Sequence, residues 1–311
     1  MDWVDRIGRR LKLRDLHILL SVVQCRSMAK AARQLAVSNP VVSKSIADLE
    51  HTLGVRLLDR SPQGVEPTIY GRALLDRSIV AFDELREAVR HVEFLADPTA
   101  GEVRIATTTA IATSFCCAVL DRLARQYPRI VVHVLTGDSS ATYRDLEQRK
   151  VDMVVARLFA PVTDEHMHAE NLYGEPQVVA VGMQSPWVGR RKVALADLVE
   201  EVWTLPPLDS LSGAIVAEAF RASGLDCPRA TVITTTVPMR RVLVATGRFI
   251  SIVPALRMAG QSSAIKALSI DLATTRRPIA VVTLKNRTVS PVAQVFINCA
   301  REVAKSLAKG K

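Results

Sequence analysis

The sequence has no C-x-x-C pair and only five cysteines, an odd number: Cys25, Cys116, Cys117, Cys227 and Cys299. That spacing supports neither a disulfide framework nor a thiolate metal site, and it fits a reducing compartment. No apolar run reaches the roughly 18–20 residues that a membrane-spanning helix needs. The opening MDWVDRIGRRLKLRD lacks the apolar core of a signal peptide, so a cytoplasmic protein with no membrane partner is expected. Low-complexity tracts are absent, and at 49% hydrophobic and 23% charged residues the chain is too apolar for disorder. Catalytic signatures are missing as well: there is no G-x-S-x-G elbow and no P-loop. His17, His51, His91, His133, His166 and His168 include no metal-spaced pair, because His166-x-His168 lacks the i, i+4 geometry of a helical site. No enzyme, metal or cofactor is therefore expected. A transport receptor is disfavoured by the missing export segment.

What is present is length for about two domains and a formal net charge of +10, half of it in residues 1–60, which hold 11 Lys+Arg against 6 Asp+Glu. A basic end points to a polyanionic partner without naming it. Within those residues Leu13, Leu16, Leu19, Leu20 and Val23 fall at helical spacing. Ser27 is placed to cap a second helix, Met28–Leu35, whose Ala31 and Ala32 allow close approach. After the turn at Ala36–Ser38, Ser38 caps a third helix. Pro40 sits in its first turn, Val42, Ile46, Leu49 and Leu53 form an apolar stripe, and Gly54 is the stop. Its other face carries Asn39, Ser43, Lys44 and Ala47. Two short helices with a polar, basic outer face suit a helix-turn-helix, although any small helical bundle has the same periodicity. The turn Ser61-Pro62-Gln63-Gly64 between two extended runs predicts a small wing, whose Arg60 is either solvated or a phosphate contact.

From about Thr68 to Phe94 one helical pattern places Leu75, Phe82 and Val89 seven residues apart, with Leu85 and Val92 interleaved and Ser78 interrupting the stripe. Such a stripe seeks a partner helix or packs on its own domain. Asp97-Pro98-Thr99-Ala100-Gly101 then breaks the helix. Beyond it the pattern alternates: strand Val103–Ala106, helix 113–126, strand Ile130–Leu135, helix Ser139–Arg149 and strand Asp152–Ala156. That order predicts a parallel sheet with ligands at the carboxyl ends of its strands. A second alternation runs from Val178 to Val253, and Ile279–Leu284 and Ala293–Leu307 close the chain as strand and helix. Thr107, Thr108 and Thr109 lie where the first strand gives way to a helix, a position that favours an anion or a polyol. A Thr-rich strand end is equally a capped turn. The adjacent Cys116 and Cys117 are read as packing rather than as a redox pair, since one helix cannot aim both thiols at one target.

The run Ser38-Asn39-Pro40-Val41-Val42-Ser43-Lys44-Ser45-Ile46-Ala47-Asp48-Leu49-Glu50, followed by Leu53-Gly54 and Leu57-Leu58-Asp59-Arg60, resembles the winged helix-turn-helix of LysR-type transcriptional regulators. Weaker landmarks continue the resemblance along the chain: Tyr127-Pro128, Val151-Asp152, and Gly247 to Pro254. It implies a winged helix-turn-helix over residues 1–67, a dimerisation helix over 68–96 and an α/β effector domain over 102–311. That domain would be similar to a type 2 periplasmic binding protein, with lobe I at 102–165 and 268–311 and lobe II at 166–267. The implied function is sequence-specific DNA-binding transcription regulation under a small-molecule effector, by a homotetramer of paired dimers on double-stranded DNA. The implied DNA contacts are Ser27, Asn39, Pro40, Ser43, Lys44 and Arg60. An Asn amide suits adenine, Pro40 a thymine methyl, and Lys44 guanine or phosphate. Family position adds Gly137, Asp138, Ser210 and Thr236 to Thr107–Thr109 as effector contacts. The chain departs from the family at Asn39, where Gln is usual, at Gln63, at Glu66-Pro67-Thr68, and at Phe249 in place of a glycine.

Overall fold

In the computed structural model the described residues are 10–309, without 63 and 256–263. Gln63 of the wing turn and the basic residues before position 10 lie outside them. The chain packs as two compact units, Met1–Glu87 and Ala88–Lys311.

The first unit holds α1 (Leu13–Cys25), α2 (Met28–Gln34), α3 (Asn39–Leu53), strands β1 (Leu58–Ser61) and β2 (Gly64–Pro67), and most of α4 (Ile69–Ala96). Of the expected core, Leu16, Leu19, Ala31, Ala32, Val42, Ile46 and Leu49 are buried, whereas Leu20, Val23, Leu35 and Leu53 are half-buried and Ile18 and Val22, which the stripe did not include, fill the first helix's share of the core. Leu13, expected in the stripe, is 51% exposed, because the buried face is centred on the turns that follow it. Ser27 caps α2 by accepting from Lys30 N at 3.4 Å. Ser38 occupies the N-cap of α3, but its hydroxyl makes no cap bond. The connections into and out of α2 pass through Arg26 (φ 49°) and Ala36 (φ 53°), both left-handed. β1 and β2 form the antiparallel wing, Leu58 opposite Pro67 and Arg60 opposite Val65. α4 is continuous over 28 residues. Ser78 does not break it, because the buried hydroxyl donates to Leu74 O at 2.8 Å, one turn back in the same helix. The expected stripe is divided. Leu75 is buried and Phe82 packs on the core, its ring 5.8 Å from that of His17. Leu85, Val89 and Val92 are exposed, and so is Leu95.

The second unit opens with β3 (Ala100–Thr107), a short α5 (Thr109–Ile111), a π-helical turn (Ala112–Cys116) and α6 (Cys117–Gln126). There follow β4 (Arg129–Thr136), α7 (Ser139–Glu147), β5 (Met153–Arg157) and β6 (Met167–Glu175). β7 (Gln177–Gly182), β8 (Trp203–Leu205), α8 (Leu211–Ala222), β9 (Ala230–Ile233), α9 (Val237–Ala245), β10 (Ser251–Pro254) and β11 (Ile265–Ala267) build the second lobe. β12 (Arg277–Leu284) and α10 (Pro291–Lys309) return to the first.

The main sheet has the order β4-β3-β5-β12-β6. β3 lies parallel to β4 and β5, as expected, but β12 runs antiparallel to both β5 and β6, so the sheet is mixed rather than parallel. The alternation in the sequence could not give this, because β6, MHAENLYGE, is polar and half-exposed and carries no apolar periodicity. It also moves the lobe boundaries. β6 pairs with β12 from Met167 to Glu175, so the first crossover falls at Pro176, not at 165–166. Leu268 and Leu272 pack in the second lobe, which moves the return crossover from 267–268 to the segment before Arg277. The second lobe is a three-stranded sheet, β10-β7-β11, beside the parallel pair β8-β9, over a core that includes Trp203 and Phe220.

Within this unit Asp152, just before β5, gathers three remote groups. It accepts from Arg104 N of β3 at 2.7 Å, from Arg90 of the last turns of α4 at 3.2 Å and from Arg287, past β12, at 2.8 Å. Its side chain is 7% exposed and that of Arg287 5%, so this ion pair is held away from water. Removing the carboxylate takes away an acid that two guanidiniums and a strand N–H share at low exposure, which costs far more than a surface pair. Asp152→Ala is expected to lower the unfolding free energy by about 3–5 kcal/mol, read as a reduced urea midpoint at constant m-value.

Candidate functional site

Two features bring the expected residues together. The first is the outer face of α3. With Val42, Ile46 and Leu49 fully buried, the 3.6-residue period leaves Asn39, Pro40, Lys44 and Ala47 exposed on the opposite side. Ser43 is half-buried and donates to Met28 Sδ at 3.6 Å, which ties α3 to α2 and leaves it less free than its neighbours. Ser27 is at the other end of the same pair, engaged as the α2 cap. Arg60 projects from the wing strand and is exposed. Two positioning contacts escaped the sequence reading. Ser45 Oγ donates to Asp15 at 2.7 Å and orients α3 on α1. Glu50 Oε1 accepts from Leu57 N at 2.8 Å and Leu58 N at 3.3 Å, so the end of α3 holds the start of the wing. Nothing in the composition marks Glu50 as an acceptor for an incoming strand, since a Glu late in a helix reads as solvated.

The second feature is a cavity of about 520 Å³ within the α/β unit, lined from both lobes. Of the residues expected at an effector site, Thr108, Thr109, Gly137, Asp138, Ser210 and Thr236 line it. Thr107 does not: it is fully buried, and its hydroxyl donates to Val155 O at 2.7 Å inside the sheet. The side chains of a strand alternate, so Thr107 and Thr108 cannot share a face. The lining residues sit at helix starts. Asp138 caps α7 through Ala141 N at 2.7 Å, and Ser210 caps α8 through Gly213 N at 3.1 Å. Bonds from Ala141 N and the Ser140 hydroxyl hold the Asp138 carboxyl below its ordinary range. Thr236 occupies the N-cap of α9 without a side-chain cap bond.

The cavity also contains residues that the sequence did not single out: Arg157 at the end of β5, Gln177 at the start of β7 and Arg240 in α9. Arg157 pairs with Glu175, whose carboxyl is raised by burial despite the guanidinium beside it. Arg240 is 2% exposed and donates to Ile252 O at 2.9 Å and Ser251 Oγ at 3.4 Å, both uncharged acceptors. Burial, and the nearby Arg157, lower its pKa to about 10, so it remains a cation at neutral pH. A lone Arg in a helical pattern carries no sign of burial, and only the packing of α9 on β10 reveals it.

Residues 13–72 match the bacterial regulatory helix-turn-helix protein, lysR family, and residues 96–305 match the LysR substrate binding domain. The chain belongs to the LysR family. It is a DNA-binding transcription regulator with an effector-binding domain. It is similar to the HTH-type transcriptional regulator GbpR of Azospirillum brasilense, 30% identical over 76% of this chain and 69% of GbpR. It is also similar to PcaQ of Agrobacterium fabrum, 24% identical over 98% of this chain and 99% of PcaQ. Among solved structures, full-length OxyR from Pseudomonas aeruginosa shares the fold at TM-score 0.69 and 19% identity, over 96% of this chain and 98% of that one. Full-length CbnR complexed with its target DNA does so at TM-score 0.56 and 23% identity, over 94% and 100%.

The adjacent cysteines diverge in their surroundings. Cys116 is buried, its thiol pushed up to about 12 by burial, while Cys117 is exposed. A protonated, inaccessible thiol is neither a nucleophile nor a redox sensor. Among the described residues no group of His, Cys, Asp and Glu could hold a metal ion, and no helix is long and apolar enough to cross a membrane. The Glu50 contact makes a direct prediction. Glu50→Ala strands two buried N–H groups and is expected to cost about 1–3 kcal/mol, whereas Glu50→Gln keeps an acceptor and recovers most of it; thermal melts of the two variants give the comparison.

Proposed function

We propose that α3 enters the DNA major groove with Asn39, Pro40, Ser43 and Lys44 toward base edges, while Arg60 of the wing meets phosphate. The observation that carries this reading is the exposure of Asn39, Pro40 and Lys44 on a helix whose other face is fully buried. The likeness in fold to a regulator solved on its target DNA supports it. Ser27, as the α2 cap, contributes by holding the end of that helix toward the backbone. Residues 1–67 form the DNA-reading part, 68–96 the dimerisation helix and the rest of the unit the effector domain, with the effector in the cleft between its lobes. Two chains pair to read two half-sites, pairs of dimers form the tetramer, and the protein works in the cytoplasm on genomic DNA.

Titration of a cognate duplex against a random one checks the groove assignment. Lys44→Ala should weaken cognate binding by about 1–3 kcal/mol and relax the preference at one base pair. Arg60→Ala should weaken all duplexes alike and lower the salt slope by about one. Equal affinity of the wild type for all duplexes at physiological salt removes the reading.

Pairing through α4 is supported by its apolar face at Leu85, Val89 and Val92, of which Val89 is 57% exposed. Val89→Asp puts a charge on that face without touching the core and should shift sedimentation toward monomer. Phe82→Asp is the control that unfolds the first unit instead, since that ring packs inward.

A further inference from the structure

Arg240 is a buried cation without a counter-ion among the described residues. It is fully charged, it reaches only a carbonyl and a hydroxyl, and no carboxylate pairs with it among the described residues. Its Nε has no hydrogen-bond partner there, nor has Nε2 of Gln177, which is 7% exposed and lines the same cavity. Leaving a buried guanidinium unpaired is among the most costly arrangements a fold can retain. It is tolerated where an opposite charge arrives from outside. Arg157 does not relieve it, because it is also a cation and its own carboxylate, Glu175, is engaged.

The fixed dipoles around the cavity have the same sign. α7, α8 and α9, of 9, 12 and 9 residues, all present their N-termini to it. A helix N-terminus carries about half a positive charge. Asp138 answers that charge at α7 and Ser210 takes up an N–H at α8, but α9 has no side-chain cap. Thr236 at that uncapped start and Arg240 one turn later are four residues apart, on one face of α9. A polyol could satisfy the hydroxyls and N–H groups of the rim. It could not neutralise Arg240.

We infer that the effector of this regulator is a small organic anion, a carboxylate or a phosphate, whose charged group sits between the Arg240 and Arg157 guanidiniums, the Gln177 amide and the α9 N-terminus. This rests on the reading of the cleft as the effector site. The cavity, at about 520 Å³, admits a molecule of metabolite size, and a bidentate guanidinium contact fixes the orientation of its carboxylate or phosphate.

The test is a thermal-shift panel on the full chain at constant pH and ionic strength. Benzoate, succinate, citrate, inorganic phosphate and glucose 6-phosphate are run beside benzamide, succinamide and glucose. At least one anion should raise the melting temperature at millimolar concentration while its neutral counterpart does not, and the carboxylate and phosphate arms separate the two chemistries. Thr236→Asp supplies a good helix cap and a fixed negative charge at the α9 start, so it should fold, melt higher than wild type without ligand, and weaken the responding anion roughly tenfold or more. Arg240→Gln should weaken it similarly. If Arg240→Gln does not fold, Thr236→Asp alone decides. The proposal is overturned if no anion of the panel stabilises the protein, or if anions stabilise wild type and Thr236→Asp equally. It is also overturned if only neutral compounds act. In that last case, a neutral compound that still changes operator affinity leaves the effector cleft standing and removes only its charge preference. Failure of every compound to alter operator affinity counts against the cleft itself.

Discussion

The α/β unit depends on how it places positive charge out of water, and at Asp152 the protein supplies the acid itself. One carboxylate accepts from two guanidiniums and a strand N–H, and so fixes the end of the linker helix, the segment after β12 and the β3–β5 pairing at one point. Low exposure strengthens each attraction, and the same low exposure would make any missing partner expensive. At Arg240 the chain keeps a cation in comparable burial with no acid beside it among the described residues. The contrast between the two arginine environments, one closed by the protein and one open to a cavity, separates structural charge from charge held for a ligand.

The two parts of the protein use burial differently. In the N-terminal unit, small side chains at Ala31 and Ala32 bring α2 and α3 together, and Leu49 and Ile46 seal the joint, so the residues facing away have no packing duty. Glu50 and Ser45 then set the angle of the exposed helix by hydrogen bonds to the wing and to α1. In the α/β unit the exposed surface of interest is concave. Four chain segments reach the cavity at helix starts because each strand or loop hands over to a helix at that edge of the lobes.

Much of this was legible in the amino-acid order, for reasons that differ between elements. The three N-terminal helices were readable because their apolar positions repeat at 3.6 residues and their stops carry Gly54 or a short turn. The threonines at the end of β3 were readable as a strand-to-helix junction. Strand alternation puts Thr107 and Thr108 on different faces, and tertiary pairing decided which of them turned into the sheet toward Val155 and which to the cavity. β6 was illegible, since an edge strand with one solvated face has little hydrophobic pattern to show, and with it went the antiparallel half of the sheet and the true crossovers. The stripe on α4 was visible as one feature, and packing divided it into an inward part at Leu75 and Phe82 and an outward part at Val89 and Val92.

The sequence by itself determined the class of protein. Local periodicity, caps and a specific motif around Ser38–Glu50 are short-range properties, carried by residues within a few turns of one another. The tertiary structure alone decided which charges are paired. Arg157 meets Glu175 across 18 positions, Arg287 meets Asp152 across 135, and Arg240 meets no carboxylate among the described residues. An arginine's surroundings are set by chain segments far away in sequence, and whether it is a solvated surface group, a structural tie or a receiver for an anion follows from burial, which no local pattern encodes.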